Sequence, residues 1–117
     1  MYAIWKHFRF SASHILTGLP EGHQCGRLHG HNYTIEVELE SDSLNEVGFV
    51  RDFGELKAIK SFIDAEWDHR HLNDVIDGNP TAENMARILF NEFSEAYPEM
   101  CAVRVQETET SWAEYRP

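Results

Sequence analysis

Two long segments of the chain alternate in polarity at every residue, and a loop rich in glycine and proline separates them. The alternation runs over residues 2–14 and again over residues 29–40. Successive side chains of a β-strand point to opposite faces, so this pattern predicts two strands with one buried face each. The buried faces comprise Ile4, Phe8, Phe10 and Ala12 in the first strand and Tyr33, Ile35, Val37 and Leu39 in the second, whereas Glu36, Glu38 and Glu40 face solvent.

The middle of the chain changes to the period of an α-helix. Residues 52–67 and 82–97 place apolar side chains three or four positions apart. Asp52 and Glu55 fit a capping box at the start of the first helix, and Thr81 fits the N-cap of the second. The predicted buried stripes are Leu56, Ile59, Ile63 and Trp67 in the first helix and Met85, Ile88, Leu89, Phe93 and Ala96 in the second.

Two short strands, near residues 101–108 and 111–115, complete the chain. The order strand, strand, helix, helix, strand, strand keeps strands and helices in separate runs. This order predicts an α+β fold with an antiparallel four-stranded sheet and both helices on one face. Without an internal repeat or a linker, the whole of residues 1–117 is expected to form a single domain.

The charge of the chain disfavours two classes of partner. Twenty acidic residues against ten Lys and Arg give a formal net charge of -10, which repels nucleic-acid backbones and anionic membranes. The alternation begins at Tyr2, so no leader peptide is expected, and we expect a cytoplasmic protein. In that compartment the two cysteines, Cys25 and Cys101, are not expected to form a disulfide.

Three histidines lie where the first two strands would meet. His14 ends the first strand and His29 begins the second, so a hairpin would place them side by side. His31 shares a face with His29 because it is two residues further along the same strand. Zinc bound by three imidazoles keeps its fourth position open, which is typical of catalytic sites. The sequence therefore predicts a zinc site formed by His14, His29 and His31.

Other interpretations fit some of the same residues. A His-x-His pair is also compatible with two half-buried histidines that bind nothing, and a bulge in the first strand would turn His14 away. Cupin barrels follow His-x-His with a glutamate on the same strand. Glu36 has the opposite phase to His29 and His31, and two long helices do not suit a small barrel, so the cupin interpretation is disfavoured.

Cys25 lies in the loop that the two strands would hold near the metal. Its neighbour Arg27 and a nearby cation would favour the thiolate, which has two uses. It is either a fourth metal ligand, which would close the site, or a general base. Cys101 opens a strand and is predicted to lie in the core.

Two acidic positions and several basic ones are further candidates for proton transfer or substrate binding. Asp68 precedes His69 directly, and a carboxylate can orient an imidazole for proton transfer. Glu107, at the end of the third strand, is able to accept paired hydrogen bonds from an amino-pyrimidinone ring if it lies in a pocket. The candidate contacts for an anionic substrate are Arg27, His23, Lys6 and Arg9.

Taken together, these motifs resemble the 6-pyruvoyltetrahydropterin synthase family, which includes the 6-carboxytetrahydropterin synthases. The resemblance covers nearly the whole chain. It rests on FSAS before His14, CGRLHGH (25–31), RDFGELK (51–57), WDHRHLN (67–73), NPTAEN (79–84) and QET (106–108). It implies the tunnelling fold (T-fold), in which subunits, six in the expected hexamer, join their sheets into barrels with active sites between subunits.

The resemblance also implies a role for each matching residue. The three histidines match zinc ligands, and Cys25 matches a catalytic base that abstracts a proton. Asp68 and His69 match an acid/base relay that is supplied across a subunit boundary. The carboxylate that anchors the pterin ring matches Glu107. The segment that lines the pterin pocket contains Thr81 and Glu83.

The spacing of the cysteine from HGH indicates the subfamily. Three residues separate them, which resembles the 6-carboxytetrahydropterin synthases of the queuosine pathway, whereas pyruvoyl synthases typically have a longer spacing. The implied lyase reaction converts 7,8-dihydroneopterin triphosphate to 6-carboxytetrahydropterin with loss of acetaldehyde and triphosphate. The alternatives are a pyruvoyl synthase and, in another class, a non-catalytic zinc-binding oligomeric module that Cys25 closes.

Overall fold

A four-stranded antiparallel sheet packs against two α-helices in the computed structural model, which describes all residues 1–117. The spatial order of the strands is the order in the sequence, so each strand pairs with the one before it. The predicted α+β class and the order of elements are confirmed. The elements are β1 (Tyr2–His14), β2 (His29–Ser41), α1 (Lys57–Glu66), α2 (Ala82–Phe93), β3 (Met100–Thr108) and β4 (Ser111–Tyr115).

The pairing of β1 with β2 carries the core. It runs without interruption from Tyr2 opposite Ser41 to His14 opposite His29. The faces predicted from the alternation are confirmed, since Phe8, Phe10 and the apolar residues of β2 all lie in one buried cluster with the helices. Burial of these side chains is the main term that stabilises the sheet and fixes its register.

The two helices contribute their predicted stripes, with corrections at their ends. A 3-10 turn, Phe53–Leu56, precedes α1. The capping box is wrong: Asp52 accepts a hydrogen bond from the Gly54 amide, but Glu55 turns to Arg51, 2.6 Å away. The second helix ends at Phe93, so Ala96 is exposed and Tyr97 takes the buried position. Neither helix has the length and apolar character needed to cross a membrane.

The face of the sheet opposite the helices holds a buried carboxylate. Glu38 was predicted to face solvent, yet it is only 7% exposed. Arg104 and Arg116 donate to its Oε1 at 2.7 and 2.9 Å, and the Trp5 indole donates at 3.1 Å. Burial alone would raise the pKa of Glu38, but the hydrogen bonds, first from Arg104 and then from Arg116, lower it to about 2.

Cys101 also belongs to this face, and its predicted place in the core is wrong. The pairing of β2 with β3 shifts register next to Glu38, and Cys101 donates from Sγ to the Glu38 carboxylate at 3.2 Å. Burial and the neighbouring Glu38 carboxylate raise the pKa of the Cys101 thiol to about 11. Glu38, Glu40 and Cys101 each place a possible metal-binding atom close together. The negative charge of Glu38 is, however, already balanced by ion pairs with Arg104 and Arg116.

The substitution Glu38→Gln is expected to destabilise the protein in a pH-dependent way. The folded-state pKa is depressed, so the carboxylate contributes stability above about pH 4.5 that is lost as the pH falls towards 2. At pH 7 the variant should lose roughly 2 kcal/mol of unfolding free energy. Urea denaturation at several pH values measures this difference. The difference in unfolding free energy between the wild type and Glu38→Gln should shrink below pH 4.5. The control Glu46→Gln, at an exposed glutamate, should leave stability unchanged. A difference that stays constant with pH would contradict the role assigned to the Glu38 carboxylate.

Candidate functional site

Three imidazoles converge at the end of the β1–β2 hairpin. A ring nitrogen of each of His14, His29 and His31 lies within 4.8 Å of the others. The ring centroids are 4.5 to 5.2 Å apart. His14 is completely buried, whereas the other two are half-buried at the rim. The predicted grouping is therefore present, and no bulge interrupts the pairing that forms it.

Hydrogen bonds to carbonyl groups fix the orientation of two of these rings. His14 Nδ1 donates to the Pro80 carbonyl at 2.8 Å, and His29 Nδ1 donates to the Arg27 carbonyl at 2.7 Å. Carbonyl oxygens only accept, so in each neutral ring the hydrogen is on Nδ1 and the lone pair is on Nε2. The two Nε2 atoms face each other at 2.9 Å. Two lone pairs this close repel unless a cation lies with them, so the donor set fits a metal ion.

The third histidine is tuned towards the neutral form that binds metals. Burial lowers the pKa of His31; the Glu107 carboxylate opposes this effect, and the His14 and His29 rings add to it. The Glu107 Oε2 lies 4.0 Å from His31 Nε2, which places that carboxylate at the rim of the cluster. Tyr33 packs below the rings, and burial raises the pKa of its phenol.

Gly30, between the two histidines of β2, has a steric reason to be glycine. A Cβ atom there would lie 3.0 Å from the Ala12 carbonyl oxygen of β1. Any side chain would push the strands apart where they carry the three ligands. The HGH motif therefore combines two candidate ligands with a close approach to β1, the strand that carries the third.

The acid/base pair is fastened along the outer edge of β1. The Ser11 amide donates to Asp68 Oδ1 at 3.0 Å, and the His69 amide donates to the Ser11 carbonyl at 2.6 Å. The predicted contact between neighbours is present: Asp68 Oδ1 lies 2.9 Å from His69 Nδ1. His69 has a left-handed backbone with φ of 56°. The hydrogen bond from the Ser11 amide first, and then His69, lower the pKa of Asp68, which keeps the carboxylate ionised.

An open cleft of about 820 Å³ joins several of the predicted residues. His31, Glu107, Asp68 and His69 all line it, together with Arg9. His69 is largely exposed there, with its Nε2 free of any partner within the chain. The cleft thus brings one end of the imidazole cluster, the Glu107 carboxylate and the oriented His69 imidazole to one surface.

Thr81 and Glu83 lie at the start of α2, on the other side of Glu107. The Thr81 hydroxyl accepts from the Asn84 amide at 3.1 Å, which confirms its predicted N-cap. Glu83 is exposed and lines a smaller pocket of about 190 Å³ with Glu107. Glu107 therefore borders two cavities, and Glu83 faces it across the smaller one.

Cys25 and Arg27 stand apart from the imidazole group. Cys25 lies half-buried in a 3-10 turn, Gln24–Gly26, and its amide donates to the His23 ring at 3.0 Å. Its sulfur is not among the clustered ligand atoms, so the three-histidine group is not closed by the protein. Arg27 lines a separate pocket of about 290 Å³ formed by the loop.

Sequence reasoning missed the residues that brace the site from behind. Asn73 and Asn79 both hydrogen-bond the backbone just beyond His14, and the Pro80 carbonyl orients the His14 ring. Asn73 lies in the motif WDHRHLN and Asn79 in NPTAEN, but nothing local in those motifs specifies backbone partners 58 and 62 residues away.

Comparison with known proteins identifies the family of the chain. The profile of the family described as 6-pyruvoyl tetrahydropterin synthase matches residues 3–117. A 6-carboxy-5,6,7,8-tetrahydropterin synthase of Synechocystis sp. is 40% identical, covering 98% of this chain and 93% of the relative. The protein of that name from Bacillus subtilis is 32% identical, covering 96% and 83%.

Solved structures support the same fold. The 6-pyruvoyl tetrahydropterin synthase of Caenorhabditis elegans superimposes with a TM-score of 0.86 at 25% identity, covering 99% of this chain and 95% of that one. The tunnelling fold implied by the sequence motifs is thus confirmed for the single chain. On the family profile, the relatives and the fold, this chain belongs to the 6-pyruvoyl tetrahydropterin synthase family.

Proposed function

We propose that this chain is a zinc-dependent lyase that converts 7,8-dihydroneopterin triphosphate and water to 6-carboxy-5,6,7,8-tetrahydropterin, with release of acetaldehyde and triphosphate. The observation that carries the proposal is the open three-imidazole cluster next to Glu107 and beside the cleft of Asp68 and His69. The relatives named 6-carboxy-5,6,7,8-tetrahydropterin synthase support this product over a pyruvoyl one. The reaction would serve queuosine biosynthesis in the cytoplasm.

Glu107 is the proposed anchor for the pterin ring. A carboxylate accepts two parallel N–H bonds from an amino-pyrimidinone edge, as it does from a guanidinium group. Its position 4.0 Å from His31 would bring the ring's side chain next to the imidazole cluster. Thr81 and Glu83 would border the ring on the side of α2, and Arg27 would contact the triphosphate from the loop.

Zn²⁺ held by His14, His29 and His31 would polarise the oxygens of the substrate side chain and acidify the adjacent positions. The chain's own contribution is orientation: the Pro80 and Arg27 carbonyl groups hold two rings with Nε2 directed inwards.

Cys25 and the Asp68–His69 pair would move the protons. The Cys25 thiolate would accept a proton from the substrate side chain as general base. Asp68 holds His69 Nδ1, so His69 Nε2 is free to donate or accept. Because His69 is so exposed in one chain, we propose that it completes the site of a neighbouring subunit.

Free strand edges support such an assembly. On the outer edge of β1, the backbone groups of Ser11 and Ser13 form hydrogen bonds with residues 68–70. The backbone groups of the odd-numbered residues from 3 to 9 form no hydrogen bond on that edge. The outer edge of β4 is equally free. Unpaired edges are templates for pairing with another chain, and joining β1 of one copy to β4 of the next would close a barrel.

Product identification tests the proposed reaction. Zinc-loaded protein incubated with 7,8-dihydroneopterin triphosphate should yield 6-carboxytetrahydropterin by mass spectrometry, with acetaldehyde in equal amount. A pyruvoyl product without acetaldehyde would assign the chain to the other activity in the family. No pterin product at all would favour a zinc-binding module without catalysis.

Two substitutions should separate metal binding from proton transfer. Cys25→Ala should keep one zinc per chain and lose at least about 100-fold in turnover, because it removes a general base and leaves the three ligands. His29→Ala should lose zinc, measured by elemental analysis. Cys101→Ser, at a thiol on the opposite face of the sheet, is the control that should retain both. Zinc loss in Cys25→Ala, or full turnover, would contradict the role assigned to Cys25.

The assembly should be visible as a mass several times 13.6 kDa in light scattering after size exclusion. Ala3→Pro removes an outward amide of β1 at an edge position that tolerates proline in a single chain. The variant should dissociate at a higher protein concentration than the wild type, with an unchanged circular dichroism spectrum. A wild-type protein that is monomeric at all concentrations would contradict this proposal.

A further inference from the structure

The backbone just beyond β1 is held by two asparagine side chains as if by a neighbouring strand. Asn73 accepts from the Ile15 amide at 2.9 Å and donates to the Ile15 carbonyl at 2.8 Å. Thr17, two residues after Ile15, is held in the same way: Asn79 accepts from the Thr17 amide and donates to the Thr17 carbonyl, both at 2.8 Å. Each carboxamide thus replaces the donor and acceptor pair that a β-strand partner would offer.

Leu16, which lies between Ile15 and Thr17, directs its amide to the opposite side, towards the loop that contains Cys25. The Leu16 amide donates to the Cys25 carbonyl at 3.1 Å. The other backbone hydrogen bonds of the loop join residues only three positions apart, within 20–27. Gly18 and Gly22 have positive φ, and a Cβ added at either would meet no atom within 4 Å, so the loop has little packing of its own. The Leu16–Cys25 bond is the one backbone–backbone hydrogen bond that joins residues 18–27 to the segment just beyond β1.

We infer that Asn73 and Asn79 are positioning residues for Cys25. They fix residues 15–17 as an extension of β1, and this extension presents the Leu16 amide that holds the Cys25 turn. The inference rests on the proposed role of Cys25 as a base. The rate of a catalysed step depends on the position of the catalytic group relative to the substrate. A shift of about 1 Å is enough to lower that rate about 100-fold.

The structure supplies a matched control. Asn45 is another asparagine whose side chain holds the backbone. Its side-chain oxygen accepts three N–H bonds, from the amides of Val47, Gly48 and Phe49. It follows β2 at the end where Tyr2 pairs with Ser41, which is opposite to the histidine end of the hairpin. Asn45→Ala removes a comparable backbone clamp without touching the site.

The experiment compares Asn73→Ala, Asn79→Ala and Asn45→Ala in the zinc-loaded full chain. Hydrogen exchange by mass spectrometry should show residues 15–28 exchanging about tenfold faster in the first two variants only, because the tie to β1 is loosened. Turnover should fall about 10- to 100-fold in kcat with KM changed less than about twofold, and zinc content should stay at the wild-type value. Asn79→Asp, which keeps the acceptor for Thr17, should lie between the wild type and Asn79→Ala.

Alkylation separates a loosened loop from a generally weakened protein. The rate of Cys25 modification by iodoacetamide, followed on its own peptide, should change at least threefold in Asn73→Ala and Asn79→Ala, while Cys101 keeps the wild-type rate. Unchanged exchange and reactivity at Cys25, or unchanged kcat despite faster exchange, would overturn the inference. Equal changes at Cys101 would also overturn it, since they would reveal global destabilisation. If the wild type lacks pterin turnover, the proposed function fails, while exchange and alkylation still decide whether the asparagines hold the loop.

Discussion

The register of the β1–β2 pair is the constraint on which the rest of the structure depends. Side chains alternate along each strand, so a slip by one residue would move every side chain of one strand to the other face. The register that buries Phe8 and Phe10 against Ile35 and Val37 is the one that places His14 opposite His29. Core formation and the gathering of the imidazoles are therefore one event. The register brings the three histidines together, and hydrogen bonds to the Pro80 and Arg27 carbonyl groups then orient two of the rings.

The segment from residue 68 to residue 80 turns this hairpin into a site. It follows the free edge of β1 and bonds the backbone at residues 11, 13, 15 and 17 in turn. Along its length it carries the Asp68–His69 pair, the two asparagine clamps and the Pro80 carbonyl. The left-handed conformation of His69 costs roughly 1–2 kcal/mol, and the short bond from its amide to Ser11 offsets that cost. One edge thus supports both the proposed proton-transfer group and the orientation of His14, a candidate metal ligand.

What the sequence revealed depended on the range of the interaction. The alternation of β1 and β2 is a local pattern, and it predicted the faces, the hairpin and the three-histidine group correctly. Glu38 was misplaced because its partners Arg104 and Arg116 are distant from it in sequence. Cys101 was misplaced because its partner is Glu38, on the neighbouring strand. The capping box failed because Glu55 pairs with Arg51 instead of the backbone. Asn73 and Asn79 have the composition of ordinary loop residues, and only the folded chain reveals their partners.

The way the ligands are held distinguishes this site from a structural zinc site. In small zinc domains the metal replaces a core, and the chain unfolds without it. Here His14 is buried and bonded to Pro80, and the strands that carry all three ligands are fixed by a core of 22 residues. The binding free energy of an ion would then not be needed for folding, and an ion held by these three histidines would keep a coordination position for substrate oxygens. A preorganised, incompletely filled ligand set beside an oriented imidazole serves chemistry better than it serves stability.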